Sequence, residues 1–207
     1  MKHVPNALTV ARIVITPAFL VLLLSGTFWG QLAALVLFVL GAISDWADGE
    51  VARRYGVRSR LGQFLDPLAD KVLVLGGFFA LPLLPPDPLG RTLWALALWW
   101  VGAGLIAFRD VAVTGLRAWA ERRGRPVQTQ YAAKVKTAVQ LTFLILIQVL
   151  LVAAKSDRVT AAAEGFAAAV SSVLYGPVPF VLLLITVVLT LWTGALYFRQ
   201  RRPSPHL

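Results

Sequence analysis

Six apolar stretches alternate with short polar segments along the chain. A helix that crosses the hydrocarbon core of a bilayer needs about 20 mostly apolar residues. Two of the stretches are too short by themselves and have to be completed by the polar residues beside them. The pattern predicts an all-α, polytopic membrane protein with six transmembrane helices. The stretches are Leu8–Leu24, Trp29–Asp45, Val72–Leu84, Leu93–Phe108, Ala138–Ala154 and Pro177–Phe198.

The composition agrees with a membrane protein. Of 207 residues, 58% are hydrophobic and only 14% are charged, and the mean hydropathy is +0.73, whereas about a quarter of the residues in soluble domains are charged. We predict a single domain over residues 1–207, with an interfacial lead-in at 1–7 and a basic tail at 199–207. The first apolar stretch is interpreted as a retained helix, because no signal-peptidase pattern follows it. The chain has no cysteine, which excludes disulfides and thiolate chemistry.

The basic residues predict the orientation of the chain. Most of them fall near alternate ends of the apolar stretches, while Arg91, Lys155 and Arg158 lie in the opposite loops. The positive-inside rule then places both termini in the cytoplasm. The net charge of +10 is explained by this topology and by attraction to anionic lipids, so nucleic acid is not an expected partner. Four helix ends carrying acids and cations meet on the cytoplasmic side and predict a polar chamber there.

Four aspartates lie close together between the second and third stretches. Asp45 and Asp48 are three residues apart, and Asp66 and Asp70 are four apart, so each pair occupies one face of its helix. A turn near Gly56 would bring the two pairs together, and four like charges at membrane depth repel one another strongly. Hard divalent cations such as Mg²⁺ or Mn²⁺ prefer carboxylate oxygens and remove this repulsion. The spacing therefore predicts a site for two such ions.

Small residues share the faces of these aspartates. Gly49, Ala52 and Gly62 carry little or no side chain, which leaves room for a flat group against the helix. A nucleotide diphosphate fits this arrangement, with Arg53 placed to meet a phosphate. The alternative is purely structural: the acids would pair with bases, and the small residues would allow close helix packing.

The whole segment resembles the signature of the CDP-alcohol phosphotransferase family. Residues 45–70 match D-x2-D-G-x2-A-R-x8-G-x3-D-x3-D at every fixed position. The resemblance implies that the four aspartates bind two divalent metals and that Asp70 is the general base. It also implies CDP-lipid contacts from the signature and from a polar turn in the first helix. These contacts are Asn6, Thr9, Gly49, Ala52, Arg53, Ser59 and Gly62.

The acceptor alcohol is predicted from cations at the chamber. Arg109, Arg117, Lys134 and Lys136 suit an acceptor that carries a phosphate. The two lysines point about 160° apart on an ideal helix, so one is expected to face the chamber and the other to reach the lipid phosphates. An ion pair between Asp110 and Arg117 is the alternative use of that arginine.

Segments of residues 4–140 also resemble the branch of the family that uses glycerol 3-phosphate, which would yield phosphatidylglycerol phosphate and CMP. Asp110 departs from that branch, where a glutamate is usual. Other acceptors, as in the cardiolipin synthase or phosphatidylinositol phosphate synthase types, stay open. So do an intramembrane prenyltransferase and, outside enzymes, a divalent-metal transporter. The resemblance further implies a homodimer. The expected location is a bacterial inner membrane, with the active site facing the cytoplasm as the charge distribution predicts.

Overall fold

A computed structural model of the chain describes residues 4–55, 71–84, 93–123, 131–158 and 164–199. All regular structure within these ranges is helical, and none of their residues lies in a strand. The all-α prediction is confirmed for this part of the chain.

Seven helices follow one another through the described residues. The described part of α3 is α-helical over residues 71–80 and continues into a 3₁₀ turn at Leu81–Leu83. A second 3₁₀ turn, at Ser156–Arg158, follows α5. The remaining helices are α1 (Val4–Leu24), α2 (Phe28–Tyr55), α4 (Leu93–Arg122), α5 (Tyr131–Ala153), α6 (Glu164–Leu174) and α7 (Val178–Arg199).

The helices extend beyond the apolar stretches that predicted them. The helix α2 continues ten residues past Asp45 to Tyr55, next to the turn predicted near Gly56. The helix α1 begins at Val4, within the segment interpreted as a lead-in. The short helix α6 was not predicted at all. Its 11 residues are too few to cross a bilayer, so a search for spanning stretches passes over it.

Three helices of the described chain are long and apolar enough to cross a membrane. They are Leu93–Ala120, Lys134–Ala153 and Val178–Leu196. Shorter apolar helices lie at Arg12–Leu24, Phe28–Ser44, Lys71–Leu83 and Glu164–Leu174. The prediction of a helical membrane protein is thus supported, while the number of six spans stays a prediction.

One contact joins two helix connections at the same end of the bundle. The α1–α2 turn passes through Gly26, which has a positive φ of 66°, and Thr27 Oγ1 accepts a hydrogen bond from Gly30 N at 3.1 Å to cap α2. Lys155, just after α5, donates to the carbonyl oxygen of Gly26 at 2.5 Å. The start of α2 and the end of α5 therefore lie side by side, as an alternating up-and-down arrangement requires.

One part of the hydrophobic core joins α3, α4 and α5 around Trp99. The indole Nε1 of Trp99 donates to the carbonyl oxygen of Phe78 at 2.9 Å. The helical donor for that carbonyl would come from residue 82, which is a proline and has no N–H. Phe143 of α5 stacks on Phe78 with ring centroids 5.3 Å apart. The ring of Trp99 is fully buried, so its indole N–H supplies the donor that Pro82 lacks.

Candidate functional site

The first half of the aspartate signature lies on one continuous helix. Asp45, Asp48, Gly49, Ala52 and Arg53 all belong to α2. Because an α-helix repeats every 3.6 residues, positions 45, 48, 49 and 52 share one face. The prediction that the first two aspartates are adjacent on a helix is confirmed at the level of the backbone.

The helix α3 packs against that same face of α2. A Cβ built on Gly41 would lie 2.7 Å from Leu73 Cδ2, so the absence of a side chain at residue 41 lets the two helices approach closely. Gly41 precedes Asp45 by four residues, one helical turn. The second half of the signature, namely Ser59, Gly62, Asp66 and Asp70, lies outside the described residues.

The start of α1 lies at the depth of the signature on α2. The ring centroids of Phe19 and Phe38 are 5.3 Å apart, and the short turn at residues 25–27 makes the two helices antiparallel. Thr9 lies ten residues before Phe19 and Gly49 eleven after Phe38, which correspond to about 15 Å and about 16 Å along the two helices. The predicted nucleotide contacts on α1 and α2 are therefore on neighbouring segments of backbone.

Arg12 is a buried cation that the sequence analysis passed over. Arg12 is only 2% exposed, and its side chain is among the largest fully buried ones. It lies seven residues before Phe19, as Asp45 lies seven after Phe38, so both occupy the same depth in antiparallel helices. The signal that could have identified Arg12 from the sequence is its spacing of three residues from Thr9, one of the predicted CDP-lipid contacts.

The polar network between α4 and α5 centres on Asp110. Arg109 Nη1 donates to Asp110 Oδ1 at 3.2 Å, and Lys136 Nζ donates to Asp110 Oδ2. The three residues are 8%, 4% and 9% exposed. One carboxylate therefore holds two cations from different helices, and each of its oxygens has a charged donor.

The two candidate lysines differ in their surroundings. Lys136 is buried against Asp110, whereas Lys134 is exposed. Lys136 is thus the lysine that faces inward. Arg117 lies on α4, but its side chain is outside the described ones, so its predicted role at the acceptor and the alternative ion pair with Asp110 both stay predictions.

The helix α7 adds polar residues that the sequence analysis missed. Arg109 Nη2 donates to Thr193 Oγ1 at 3.1 Å, and Gln140 Nε2 of α5 donates to Thr190 Oγ1 at 3.3 Å. Gly194 packs against Arg109: a Cβ there would lie 3.0 Å from Arg109 Cγ. The signal was the spacing of Thr186, Thr190 and Thr193, which puts three hydroxyls on one face of an apolar helix.

No group of three or more metal-ligating side chains occurs among the residues that the structure describes. The acids predicted to form such a group are Asp45, Asp48, Asp66 and Asp70, and none of their side chains is described. The donor chemistry of the set, four carboxylates, is that of a hard divalent cation.

Comparison with known proteins gives a match over nearly the whole chain. The profile of the CDP-alcohol phosphatidyltransferase family matches residues 2–198. The CDP-diacylglycerol–glycerol-3-phosphate 3-phosphatidyltransferase of Escherichia coli (strain K12) is 34% identical over 147 residues, which cover 69% of this chain and 74% of that protein. Proteins of the same name from Shigella flexneri serotype 5b (strain 8401) and Shigella sonnei (strain Ss046) match to the same extent.

Proposed function

Because the chain belongs to the CDP-alcohol phosphatidyltransferase family, we propose that it transfers the phosphatidyl group of CDP-diacylglycerol to glycerol 3-phosphate. The products are phosphatidylglycerol phosphate and CMP, so the protein acts as a phosphatidylglycerophosphate synthase in phospholipid biosynthesis. The observation that carries the choice of acceptor is the name and 34% identity of the Escherichia coli relative. The buried cations near Asp110 support it, because an acceptor phosphate needs fixed positive donors.

The metal site of the proposal is built from the two helices that meet at Gly41. In the proposal, the ligands are Asp45 and Asp48 of α2 together with Asp66 and Asp70. The last two precede the described part of α3. The packing of Leu73 on Gly41 supports this, because α3 lies against the face of α2 that carries the first two acids. Asp45, Asp48, Asp66 and Asp70 would hold two Mg²⁺ or Mn²⁺ ions, which would supply positive charge to offset that on the diphosphate and on the attacking and leaving oxygens.

The reaction itself is a displacement at phosphorus. The acceptor hydroxyl oxygen forms a bond to the phosphorus that carries diacylglycerol, and the bond from that phosphorus to the CMP oxygen breaks. Asp70 takes the proton of the attacking hydroxyl as general base. The proton leaves the acceptor as the new phosphodiester forms, and CMP departs with the electron pair of the broken bond.

The CDP-lipid lies along the neighbouring segments of α1 and α2. The small residues of α2 admit the nucleotide, and Arg53 meets a phosphate oxygen. The matched depth of Thr9 and Gly49 supports contacts from both helices. The remaining contacts of the proposal are Asn6, Ala52, Ser59 and Gly62.

The acceptor phosphate is held by Arg109, Arg117 and Lys136. The exposed Lys134 reaches the phosphates of the surrounding lipids instead. The positive-inside rule supports an active site on the cytoplasmic face of a bacterial inner membrane. We further propose that the protein forms a homodimer. A transporter has no support, since the family is one of enzymes.

An assay of the purified full-length protein tests the proposal. CMP release is followed with CDP-diacylglycerol and a panel of acceptors: glycerol 3-phosphate, glycerol, inositol phosphate and phosphatidylglycerol. We expect glycerol 3-phosphate to give the highest kcat/KM and glycerol to be poor. A preference for phosphatidylglycerol or inositol phosphate would assign the protein to another branch of the family, and equal use of glycerol would remove the role of the cations.

A further inference from the structure

The apolar helix α7 buries three hydroxyls on one face. Thr186, Thr190 and Thr193 are 2%, 1% and 1% exposed. A hydroxyl in an apolar environment has to be hydrogen-bonded, or its burial is unfavourable. The Thr186 hydroxyl donates to the carbonyl oxygen of Leu182 in its own helix at 2.8 Å. A packing role explains Thr186 fully, but it does not explain Thr193.

Thr193 links α7 to a cation of the proposed acceptor site. Its hydroxyl donates to the carbonyl oxygen of Thr190 at 2.9 Å, which fixes the direction of the O–H bond. A lone pair of the same oxygen then accepts from Arg109 Nη2 at 3.1 Å. The hydroxyl is therefore oriented by its own helix to receive the guanidinium.

Gly194 allows the arginine to lie against the helix. A Cβ at this position would lie 3.0 Å from Arg109 Cγ and 3.1 Å from Arg109 Nε, closer than nearly all real Cβ contacts. Arg109 Nε is buried and has no hydrogen-bond partner among the described residues. The stem of Arg109 is thus confined by the bare backbone at residue 194, while Asp110 and Thr193 hold one terminal nitrogen each.

We propose that Thr193 and Gly194 are positioning residues of the acceptor site, which act by holding the Arg109 guanidinium in one orientation for the phosphate of the acceptor. The inference rests on the proposed function. A free arginine side chain has many rotamers, and fixing them before the ligand arrives strengthens binding. The two described hydrogen bonds leave a second N–H on each terminal nitrogen for the phosphate.

The test compares four variants of the full-length protein in the same CMP-release assay. Thr193→Val keeps the shape of the side chain and removes both hydrogen bonds, while Thr193→Ser keeps the hydroxyl. Gly194→Ala adds the Cβ that meets Arg109. Thr186→Val is the matched control, since it removes a buried hydroxyl from the same face of α7.

We expect Thr193→Val and Gly194→Ala to raise the KM for glycerol 3-phosphate about tenfold, the lower end of the range for a hydrogen bond to a charged group. The KM for CDP-diacylglycerol should stay within about twofold of the starting protein, well below one decade in affinity. Thr193→Ser and Thr186→Val should behave like the starting protein. This pattern is specific, because a loss of packing alone would not separate the two substrates or be restored by serine.

The proposal is overturned if Thr193→Val leaves the acceptor KM unchanged, or if it raises the KM for CDP-diacylglycerol as much as the KM for glycerol 3-phosphate. If Thr193→Val does not fold, Gly194→Ala and Thr193→Ser decide in its place. Failure of the proposed function has a different signature: the unchanged protein itself would show no preference for glycerol 3-phosphate.

Discussion

Gly41 of α2 and Leu73 of α3 are in such close contact that a Cβ on residue 41 would lie 2.7 Å from Leu73 Cδ2. Leu73 is 2% exposed, so its side chain has little room to withdraw. Asp45 follows Gly41 by one turn, and Asp70 precedes Leu73 by three residues. The contact thus sets the distance between the two helices next to the proposed metal site.

Replacing Gly41 tests the importance of this close approach. Gly41→Ala should lower turnover, because the added methyl pushes α3 away from α2 and spreads the carboxylates. Gly104→Ala is the control: that glycine lies within α4, and an added Cβ would meet none of the described residues within 4 Å. Alanine favours an interior helical position by about 1 kcal/mol, so the control should be at least as stable as the starting protein. Equal turnover in both variants would contradict the prediction.

Metal removal should abolish the activity. If Asp45, Asp48, Asp66 and Asp70 hold two divalent ions, excess EDTA stops CMP release and added Mg²⁺ or Mn²⁺ restores it. EDTA saturated with Mg²⁺ beforehand controls for direct effects of the chelator. Undiminished CMP release in excess free EDTA would rule out the two-metal site.

The last aspartate should differ in role from the first. Asp70→Asn is expected to lower turnover by about 10²–10⁴, the usual contribution of a positioned general base. CDP-diacylglycerol binding should survive better than in Asp45→Asn, because the loss at Asp70 falls mainly on proton removal, whereas the loss at Asp45 falls on metal binding. Binding measurements on both variants check this, and an equal loss of binding would show that Asp70 acts chiefly as a ligand.

The two lysines of α5 should have different effects. Lys136→Met removes the buried cation that pairs with Asp110 and should raise the KM for glycerol 3-phosphate by about one to two decades. Lys134→Met changes an exposed residue on the same turn and should leave that KM unchanged. Steady-state kinetics with varied acceptor separate the two. A larger effect at Lys134 would be incompatible with the inward position of Lys136.

Trp99 should be needed for stability rather than for chemistry. Trp99→Phe leaves the carbonyl oxygen of Phe78 without its donor, because Pro82 cannot replace it. A buried unsatisfied carbonyl destabilises a fold by about 1–3 kcal/mol, which thermal unfolding in detergent would detect as a lower Tm. Trp94→Phe serves as the control, since Trp94 is 81% exposed. An unchanged Tm in Trp99→Phe would show that the hydrogen bond contributes little.

The sequence by itself determined the helical class, the location of most helices, and the placement of the first half of the signature on a helix. Apolar stretches and residue spacing are local properties, and a helix of known period converts them directly into faces. For this reason the three-residue spacing of Asp45 and Asp48 is enough to place both on one face of α2. The short helix α6 could not be predicted in this way, because its 11 residues fall below the length that identifies a span.

Only the tertiary structure decided which faces meet. The spacing of Lys134 and Lys136 showed that the two point in different directions, but the packing of α4 and α5 against α7 decided that Lys136 contacts Asp110. The contact between Arg109 and Thr193 joins residues 84 positions apart. The hydroxyls of α7 and the cation of α4 each look ordinary in their own segment. Their relationship arises from the arrangement of whole helices, which the local period of one helix does not encode.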